Sequence, residues 1–321
     1  MLLTLGFLSN YRALLTPNDL DNPSIVETIL EANKENNFSH YMICAINRFR
    51  IRNESIINGE KNISFTIIEQ VDEFNWEEIT MSIPSLMSHQ RIYMSVDGTT
   101  IRLQAENGHE ELFMSVIVFL DFLNKHLEFN TKLGELSNLN IKYIGQTELS
   151  KKYIRFKDHK KISKILRDYN INSPHQEIKI LLLSFQPPLI QALLHPDIDS
   201  QIRNDWMPNG DLFKELPKKD WKTIVEATMI HHYKPKLNVH YKDNFPSDKH
   251  IGYAYFYDKR IRSIFVELHG EYSAHKIGNE NIKYTYSTII EYALEKINDD
   301  IFIYDNNNQD LDKFMKLLST D

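Results

Sequence analysis

The stretch NIKYIGQTELSKKYIRFKDHKKISKILRD, Asn140–Asp168, decides the fold that the sequence predicts. Its first part, Ile141–Ile144, is β-branched and aromatic, which indicates a strand. Gly145 ends this strand, and a glycine there lets a backbone or a phosphate come close. The residues that follow have apolar side chains at helical spacing, which predicts a helix. On that helix Arg155 and His159 are four residues apart and therefore share one face.

These two side chains are suited to phosphate chemistry. The guanidinium of Arg155 is planar and always charged, which matches a phosphate group. The imidazole of His159 can transfer a proton near neutral pH. A strand, a glycine turn and a helix that presents both residues therefore predict a site for phosphodiester chemistry.

Further segments extend this pattern, and together the segments resemble the GIY-YIG endonuclease superfamily. The sequences YIG at 143–145 and RFKDH at 155–159 resemble the family's Y-I-G strand and R-x3-H helix. IKILLLSF, Ile178–Phe185, fits its buried third strand. IVEATMIHHYKPKLN, Ile224–Asn238, looks like its helix with one glutamate, followed by a proline and an asparagine. Each motif is common by chance, but the segments occur in the family's order over about residues 137–246.

The resemblance implies a Mg²⁺-dependent endonuclease, with Mn²⁺ as a substitute metal. Glu226 would bind the metal, since Mg²⁺ keeps its waters and needs few carboxylates. Arg155 would stabilise charge on the scissile phosphate. Tyr143 would position or deprotonate water, and His159 would bond Tyr143 or a phosphate oxygen. Asn238 matches the family's structural asparagine, which hydrogen-bonds backbone near the site. The residues expected to contact the substrate are Gly145, Lys151, Lys152, Lys160 and Asn238.

The sequence departs from the family at the first tyrosine. The family carries G-I-Y on a strand whose tyrosine lies about a dozen residues before Y-I-G. This chain has no tyrosine between Met94 and Lys142. Phe129, Thr131 or Lys132 is expected on the corresponding strand, and a lysine could accept a proton if burial lowered its pKa. The identity of the general base stays open at this point.

The expected fold class is α+β, in three consecutive parts. Residues 1–136 predict an α+β domain of no recognised family. Residues 137–246 predict the GIY-YIG-like domain, a small antiparallel three-stranded sheet flanked by helices, with an insertion at about 186–219. Residues 247–321 predict a hairpin followed by helices.

Local patterns give bounds for several elements of these parts. Residues 1–46 contain helical segments, and Ile63–Gln70 is typical of a strand. Glu110–His126 predicts an amphipathic helix. Two further helices are expected at Tyr284–Ile297 and Gln309–Leu318.

Composition indicates a globular protein with an uneven charge. The chain has 321 residues, a net charge of −7 and one cysteine, Cys44, which excludes an internal disulfide and favours a reducing, cytoplasmic compartment. The longest apolar stretch, Leu112–Leu123, contains an aspartate and is too short to span a membrane. Lys and Arg exceed Asp and Glu by nine to three in residues 140–168, whereas residues 1–139 have ten against nineteen.

This charge distribution bears on the partners. Basic charge beside the suspected site favours binding of a phosphate backbone, with DNA expected over RNA. The acidic N-terminal part would shield the site or contact a protein partner. A monomer with one site would nick DNA, and cutting both strands would favour a dimer or repeated visits. A restriction, mobile-element or phage-defence effector fits such an enzyme.

A second hypothesis belongs to a different class. Without its first tyrosine, a GIY-YIG-like domain could be a nucleic-acid-binding or regulatory module that does not cut. Glu226 separates the two hypotheses, because a pure binder does not need a carboxylate directed at a phosphate. The glutamate therefore favours the enzyme.

Overall fold

The computed structural model describes part of the chain. The described residues are 2–87, 90–97, 100–106, 110–117, 119–120, 123, 138–149, 160–186, 189–193, 218–243, 245, 261–269, 275–297 and 300–305. They form a mixed α+β fold that is mostly strands with few helices.

The elements fall in the following bounds. The strands are β1 Leu2–Leu15, β2 Phe38–Asn47, β3 Phe49–Asn58, β4 Asn62–Gln70, β5 Trp76–Pro84, β6 Leu86–Met87, β7 Gln90–Asp97, β8 Thr100–Ala105, β9 Glu110–Ser115, β10 Leu139–Gln146, β11 Gln176–Phe185, β12 Leu189–Leu193, β13 Ile261–Leu268, β14 Ile277–Gly278, β15 Thr288–Ile297 and β16 Asp300–Asp305. The α-helices are α1 Pro23–Asn36, α2 Lys160–Asn172 and α3 Lys218–Tyr233, and a 3-10 helix covers Pro17–Asp21.

A large sheet holds strands from the beginning, middle and end of the chain. Among the described residues it has nine strands in the order β14-β10-β2-β11-β1-β13-β15-β16, and β12 also pairs with β1. The neighbours β10, β2 and β11 run antiparallel, whereas β1 and β13 are parallel. The sheet therefore does not follow the predicted division at residues 136 and 246.

The part of the chain between β2 and β10 forms a separate unit, which we call the insert. Its strands make a three-stranded sheet, β3-β4-β5, and a four-stranded sheet, β6-β7-β8-β9. Both sheets and helical residues around Phe119 contribute to one hydrophobic cluster. That cluster is distinct from the two clusters of the large sheet.

The large sheet is buried on both faces because its central strands are apolar along almost their whole length. In β2, Tyr41 and Ile43 pack with α1 and α2, whereas Met42 and Cys44 pack with α3. Alternate residues of a strand point to opposite faces, so a run such as YMIC can serve both layers. This arrangement fixes β2 between two helical layers.

Cap residues set the bounds of α1, the helix packed on the Tyr41 face. Asn22 accepts a hydrogen bond from the Ser24 N–H, and Pro23 occupies the first turn. Asn37 ends the helix in the left-handed region with a φ of 50°, a conformation that asparagine tolerates better than most residues. The chain then enters β2 directly, which brings Tyr41 into the sheet.

Several predicted strands and helices are confirmed. The predicted strand Ile178–Phe185 lies within β11, and the predicted strand Ile63–Gln70 coincides with β4. The helix that carries Glu226 is α3. Each of these segments is long and strongly patterned, which is where sequence periodicity is most informative.

Other local predictions are incomplete or wrong. The helical segments expected in residues 1–46 are present as the 3-10 helix and α1, but this part also contains β1 and β2, and Glu110–His126 begins as β9 rather than as a helix. The predicted helix Tyr284–Ile297 contains β15. In β15 Ile290 is buried and Ile289 is 59% exposed, an alternation typical of a strand. A short apolar run fits both the helical and the strand period. Here the pairing with β13 and β16 makes the segment a strand.

The predicted helix Gln309–Leu318 lies outside the described residues. Within the described part of the chain, no helix is long and apolar enough to cross a membrane.

Candidate functional site

Strands β2 and β10 bring two tyrosines together. Tyr143 lies in β10, and Tyr41 of β2 is paired with Gly145 in the antiparallel register. The ring centroids of the two tyrosines are 5.9 Å apart, and their side chains are hydrogen-bonded. The strand beside the YIG sequence is therefore β2, and it carries a tyrosine.

This finding corrects the expectation that no tyrosine is available next to Tyr143. Phe129, Thr131 and Lys132, the alternatives considered from the sequence, lie outside the described residues. Tyr41 is far earlier in the chain because the insert separates the two strands. Sequence spacing missed it, and the signal available was the buried, strand-like run from Phe38 to Ile46.

The position of the Tyr41 ring leaves no space for a side chain at residue 145, so a glycine is required there. A Cβ added at Gly145 would lie 2.8 Å from Cζ and 2.8 Å from Oη of Tyr41. Real Cβ atoms essentially never come so close to another heavy atom, so the tyrosine covers the strand only because residue 145 lacks a side chain. In this structure the group that approaches the glycine is an aromatic ring.

The hydroxyl of Tyr41 is strongly perturbed. The Tyr41 side chain is 2% exposed and that of Tyr143 is 8% exposed. Burial raises the pKa of Tyr41 well above its ordinary value, and the neighbouring Tyr143 and the charge on Glu226 raise it further. Tyr41 therefore stays protonated at neutral pH and serves as a hydrogen-bond group rather than a free base.

Glu226 comes from α3 and lies near the end of β10. Gln146 Nε2 donates a hydrogen bond to Glu226 Oε2 at 2.8 Å and a longer one to Thr223 Oγ1 at 3.3 Å. Burial raises the pKa of Tyr241, and the charge on Glu226 raises it further. The flanking residues Val225 and Ala227 are fully buried, which fixes the helix. Glu226 is thus a half-buried carboxylate that is held by an amide and whose charge raises the pKa of Tyr41 and Tyr241.

Asn238 holds the open edge of β10. Its Nδ2 donates to the carbonyl of Ile144 at 2.8 Å, and its Oδ1 accepts from the Ile144 N–H at 2.9 Å. The strand β14 pairs with β10 only at Leu139 and Asn140, so within the described part of the chain no strand pairs with Ile144 on this side. Both polar groups of the Asn238 amide are therefore bonded to backbone, as the resemblance implies for its structural asparagine.

The structure describes little of the remaining predicted site residues. Lys151, Lys152, Arg155 and His159 lie outside the described residues, and Lys160 is the first residue of α2. The structure thus brings together Tyr143, Gly145, Glu226 and Asn238 around the end of β10, and it adds Tyr41, Gln146 and Tyr241, which sequence reasoning missed.

The donor set decides what metal the site could hold. Within the described residues, no group of three or more His, Cys, Asp or Glu side chains is arranged to bind a metal ion. Glu226 offers one carboxylate, which accepts a hydrogen bond from the Gln146 amide. A single carboxylate fits Mg²⁺, which is commonly bound through one or two carboxylates, several waters and substrate phosphate.

Comparisons of the chain with protein-family models, curated proteins and solved structures gave no match. The function must therefore be inferred from the site residues themselves. Their arrangement combines two hydrogen-bonded phenols and a carboxylate positioned by an amide. Such groups can orient a water molecule and hold a metal-bound phosphate.

Proposed function

We propose that this chain is a metal-dependent endonuclease that hydrolyses phosphodiester bonds of DNA through a divergent GIY-YIG-like site. The observation that carries the proposal is the Tyr41–Tyr143 pair over Gly145, with Glu226 close enough to influence Tyr41. In this proposal Tyr41 takes the place of the family's first tyrosine, and β10, β2 and β11 are the family's three antiparallel strands.

Each residue then has a role in the reaction. Hydrolysis forms a bond between a water oxygen and phosphorus and breaks one P–O bond, and the leaving oxygen takes up a proton. Tyr143 orients the attacking water, and Tyr41 supports it by donating or accepting a hydrogen bond at its hydroxyl. Gln146 keeps the Glu226 carboxylate in a fixed orientation. Such positioning lowers the barrier because the groups do not have to reorganise during the reaction.

Glu226 would hold Mg²⁺ in this site. When bound, the ion neutralises charge on the phosphoryl oxygens. Arg155 and His159 belong to the proposal through the sequence pattern, as a phosphate-stabilising cation and a proton-transfer group. One such site in a monomer nicks one strand at a time.

The experiment is cleavage of supercoiled plasmid and of labelled single-stranded RNA in Mg²⁺. Wild type is compared with Glu226→Gln, which keeps the size and removes the charge. Glu27→Gln, at an exposed position of α1, is the matched control. We expect wild type and the control to cut DNA and Glu226→Gln to bind without cutting.

Two outcomes would contradict this proposal. If wild type binds nucleic acid and leaves both substrates intact, the domain is a binding module. If Glu226→Gln cuts as fast as wild type, this carboxylate is not part of the catalytic machinery.

A further inference from the structure

The loop that follows α3 lies along the open edge of β10. It covers residues 234–243, KPKLNVHYKD, and we call it the edge loop. The Leu237 N–H donates to the carbonyl of Lys142 at 3.1 Å, and the Asn238 amide bonds both backbone groups of Ile144. Both anchor residues of β10 are neighbours of the candidate-site tyrosine in that strand. The middle of the edge loop is therefore fixed beside the candidate site.

The far end of the edge loop lies near the candidate carboxylate. Tyr241 packs against the core cluster on the α3 face of the sheet, and the charge on Glu226 acts on its phenol. The backbone of Tyr241 is in the left-handed region with a φ of 68°, which is unusual for a large side chain. Residues held in such conformations cluster at functional sites. Lys242 Nζ donates to the carbonyl of Lys236 at 3.3 Å and closes the loop.

The edge loop presents basic side chains to solvent. It contains three lysines and one aspartate, in a chain whose net charge is −7. Lys234, Lys236 and His240 are exposed. Lys234 Nζ is 3.9 Å from Asp243 Oδ1, a long pair at the surface that contributes little. Among the described residues no acidic side chain pairs with Lys236. The loop therefore has a local excess of positive charge next to the candidate site.

The distribution of these charges favours an extended polyanion as the ligand. The exposed cations follow one another along the edge loop instead of converging on a pocket, so they match a chain of phosphates better than a single small anion. Lysine contacts to phosphates position a nucleic acid without reading its sequence. They also release counterions, which makes the affinity depend on salt.

We propose that the edge loop binds the phosphate backbone of the DNA strand next to the scissile bond and thereby positions the substrate at Tyr143 and Glu226. This inference rests on the proposed function and deepens it. It adds a substrate-binding element, because the lysines expected from the sequence to contact the substrate lie in a different part of the chain, at residues 151, 152 and 160. Lys236 is the residue that carries the test.

The experiment measures binding by fluorescence anisotropy with a labelled DNA duplex of about 20 base pairs, two helical turns. EDTA is present, so that binding is read without cleavage. At about 0.1 M salt we expect Lys236→Gln to raise the Kd about five- to tenfold, and the slope of log Kd against log salt to fall by about 0.9. Lys61→Gln removes an exposed lysine between β3 and β4 and is the matched control, which should bind like wild type.

Plasmid nicking in Mg²⁺ is measured on the same variants. We expect Lys236→Gln to raise KM for DNA by the same factor and to leave kcat unchanged, because an exposed side chain that only holds the backbone contributes equally to the bound substrate and to the transition state. Urea unfolding of both variants should match wild type, since both lysines are exposed.

Three results would overturn the role of the edge loop. They are equal binding by Lys236→Gln and Lys61→Gln, no binding of the duplex by wild type, and displacement of the duplex by poly-glutamate as effectively as by unlabelled duplex, which would indicate an acidic protein as the partner. Nicking by wild type together with equal binding by the two variants would leave the proposed function standing without this role. Binding that depends on Lys236, without nicking by wild type, would contradict the proposed function and retain the edge loop as a DNA-binding surface.

Discussion

Replacing Gly145 with alanine tests the contact between β10 and Tyr41. The new Cβ would lie 2.8 Å from Cζ and Oη of Tyr41, and the ring is 2% exposed, so it has little room to move. Overpacking of this kind costs about 1–3 kcal/mol of unfolding free energy. We expect the upper part of that range, because the ring atoms are enclosed between β2, β10 and the helices packed on them.

A double-mutant cycle assigns this cost to the tyrosine. Tyr41→Leu removes the three atoms that the new Cβ would meet, two ring carbons and the hydroxyl oxygen. In that background Gly145→Ala should cost less than about 0.5 kcal/mol, which gives a coupling of about 1–3 kcal/mol between the two sites. Phe65→Leu, in the core of the insert, is the control and should leave the cost of Gly145→Ala unchanged.

The assay is urea unfolding at 25 °C, with m-values compared among all variants to check that the same surface is exposed. The reasoning would be refuted if Gly145→Ala kept its full cost in the Tyr41→Leu background. That result would mean that another group occupies the space above Gly145.

Two further predictions concern stability. Asn238→Leu leaves the N–H and C=O of Ile144 without partners and should lower the unfolding free energy by about 2–4 kcal/mol. Asn281→Leu, at an exposed position, should have little effect, and equal losses in the two variants would contradict the prediction. Burial lowers the pKa of His40 to about 4, whereas the unfolded value is 6.5. The unfolded state therefore binds the proton first, and stability should fall by up to about 3 kcal/mol as the pH drops from 6.5 to 4. His40→Gln should remove this part of the pH dependence, as judged from the difference between the two urea-unfolding curves, and unchanged curves would refute it.

The strands and helices with strong local patterns were predictable from the sequence. A largely apolar run such as Ile178–Phe185, interrupted by Lys179 and Ser184, is typical of a buried segment, and its length favours a strand over a helix. The helix around Glu226 has buried neighbours on both sides of the glutamate and is long enough to be recognised. Local patterns therefore located two of the elements that surround the candidate site.

The partner of β10 was not predictable in the same way. Strands pair through backbone hydrogen bonds, so the side-chain periodicity of one strand does not indicate which strand it pairs with. Tyr41 and Tyr143 are brought together because β2 and β10, which the insert separates along the chain, pair in the large sheet. The same reason explains why the predicted boundary near residue 136 does not separate the strands of the large sheet.

The positions of single polar residues were predictable only where the resemblance supplied them. It placed Glu226 and Asn238 near the YIG strand, and the structure has both at the end or edge of β10. Gln146 follows the YIG sequence directly, yet nothing in its local pattern indicates a bond to Glu226. Contacts of this kind depend on the angle at which α3 crosses the sheet.

The most direct test of the account is the single-turnover rate of plasmid nicking in Mg²⁺ by Tyr41→Phe. This variant keeps the ring over Gly145 and removes the hydroxyl that bonds Tyr143. Tyr11→Phe, at a 43% exposed position of β1, is the control. We expect Tyr41→Phe to nick about 100-fold more slowly than wild type, as loss of one preorganised hydrogen-bond group in an active site does, with Tyr11→Phe unchanged. Nicking by Tyr41→Phe at the wild-type rate would contradict the central claim that the two tyrosines form one catalytic site.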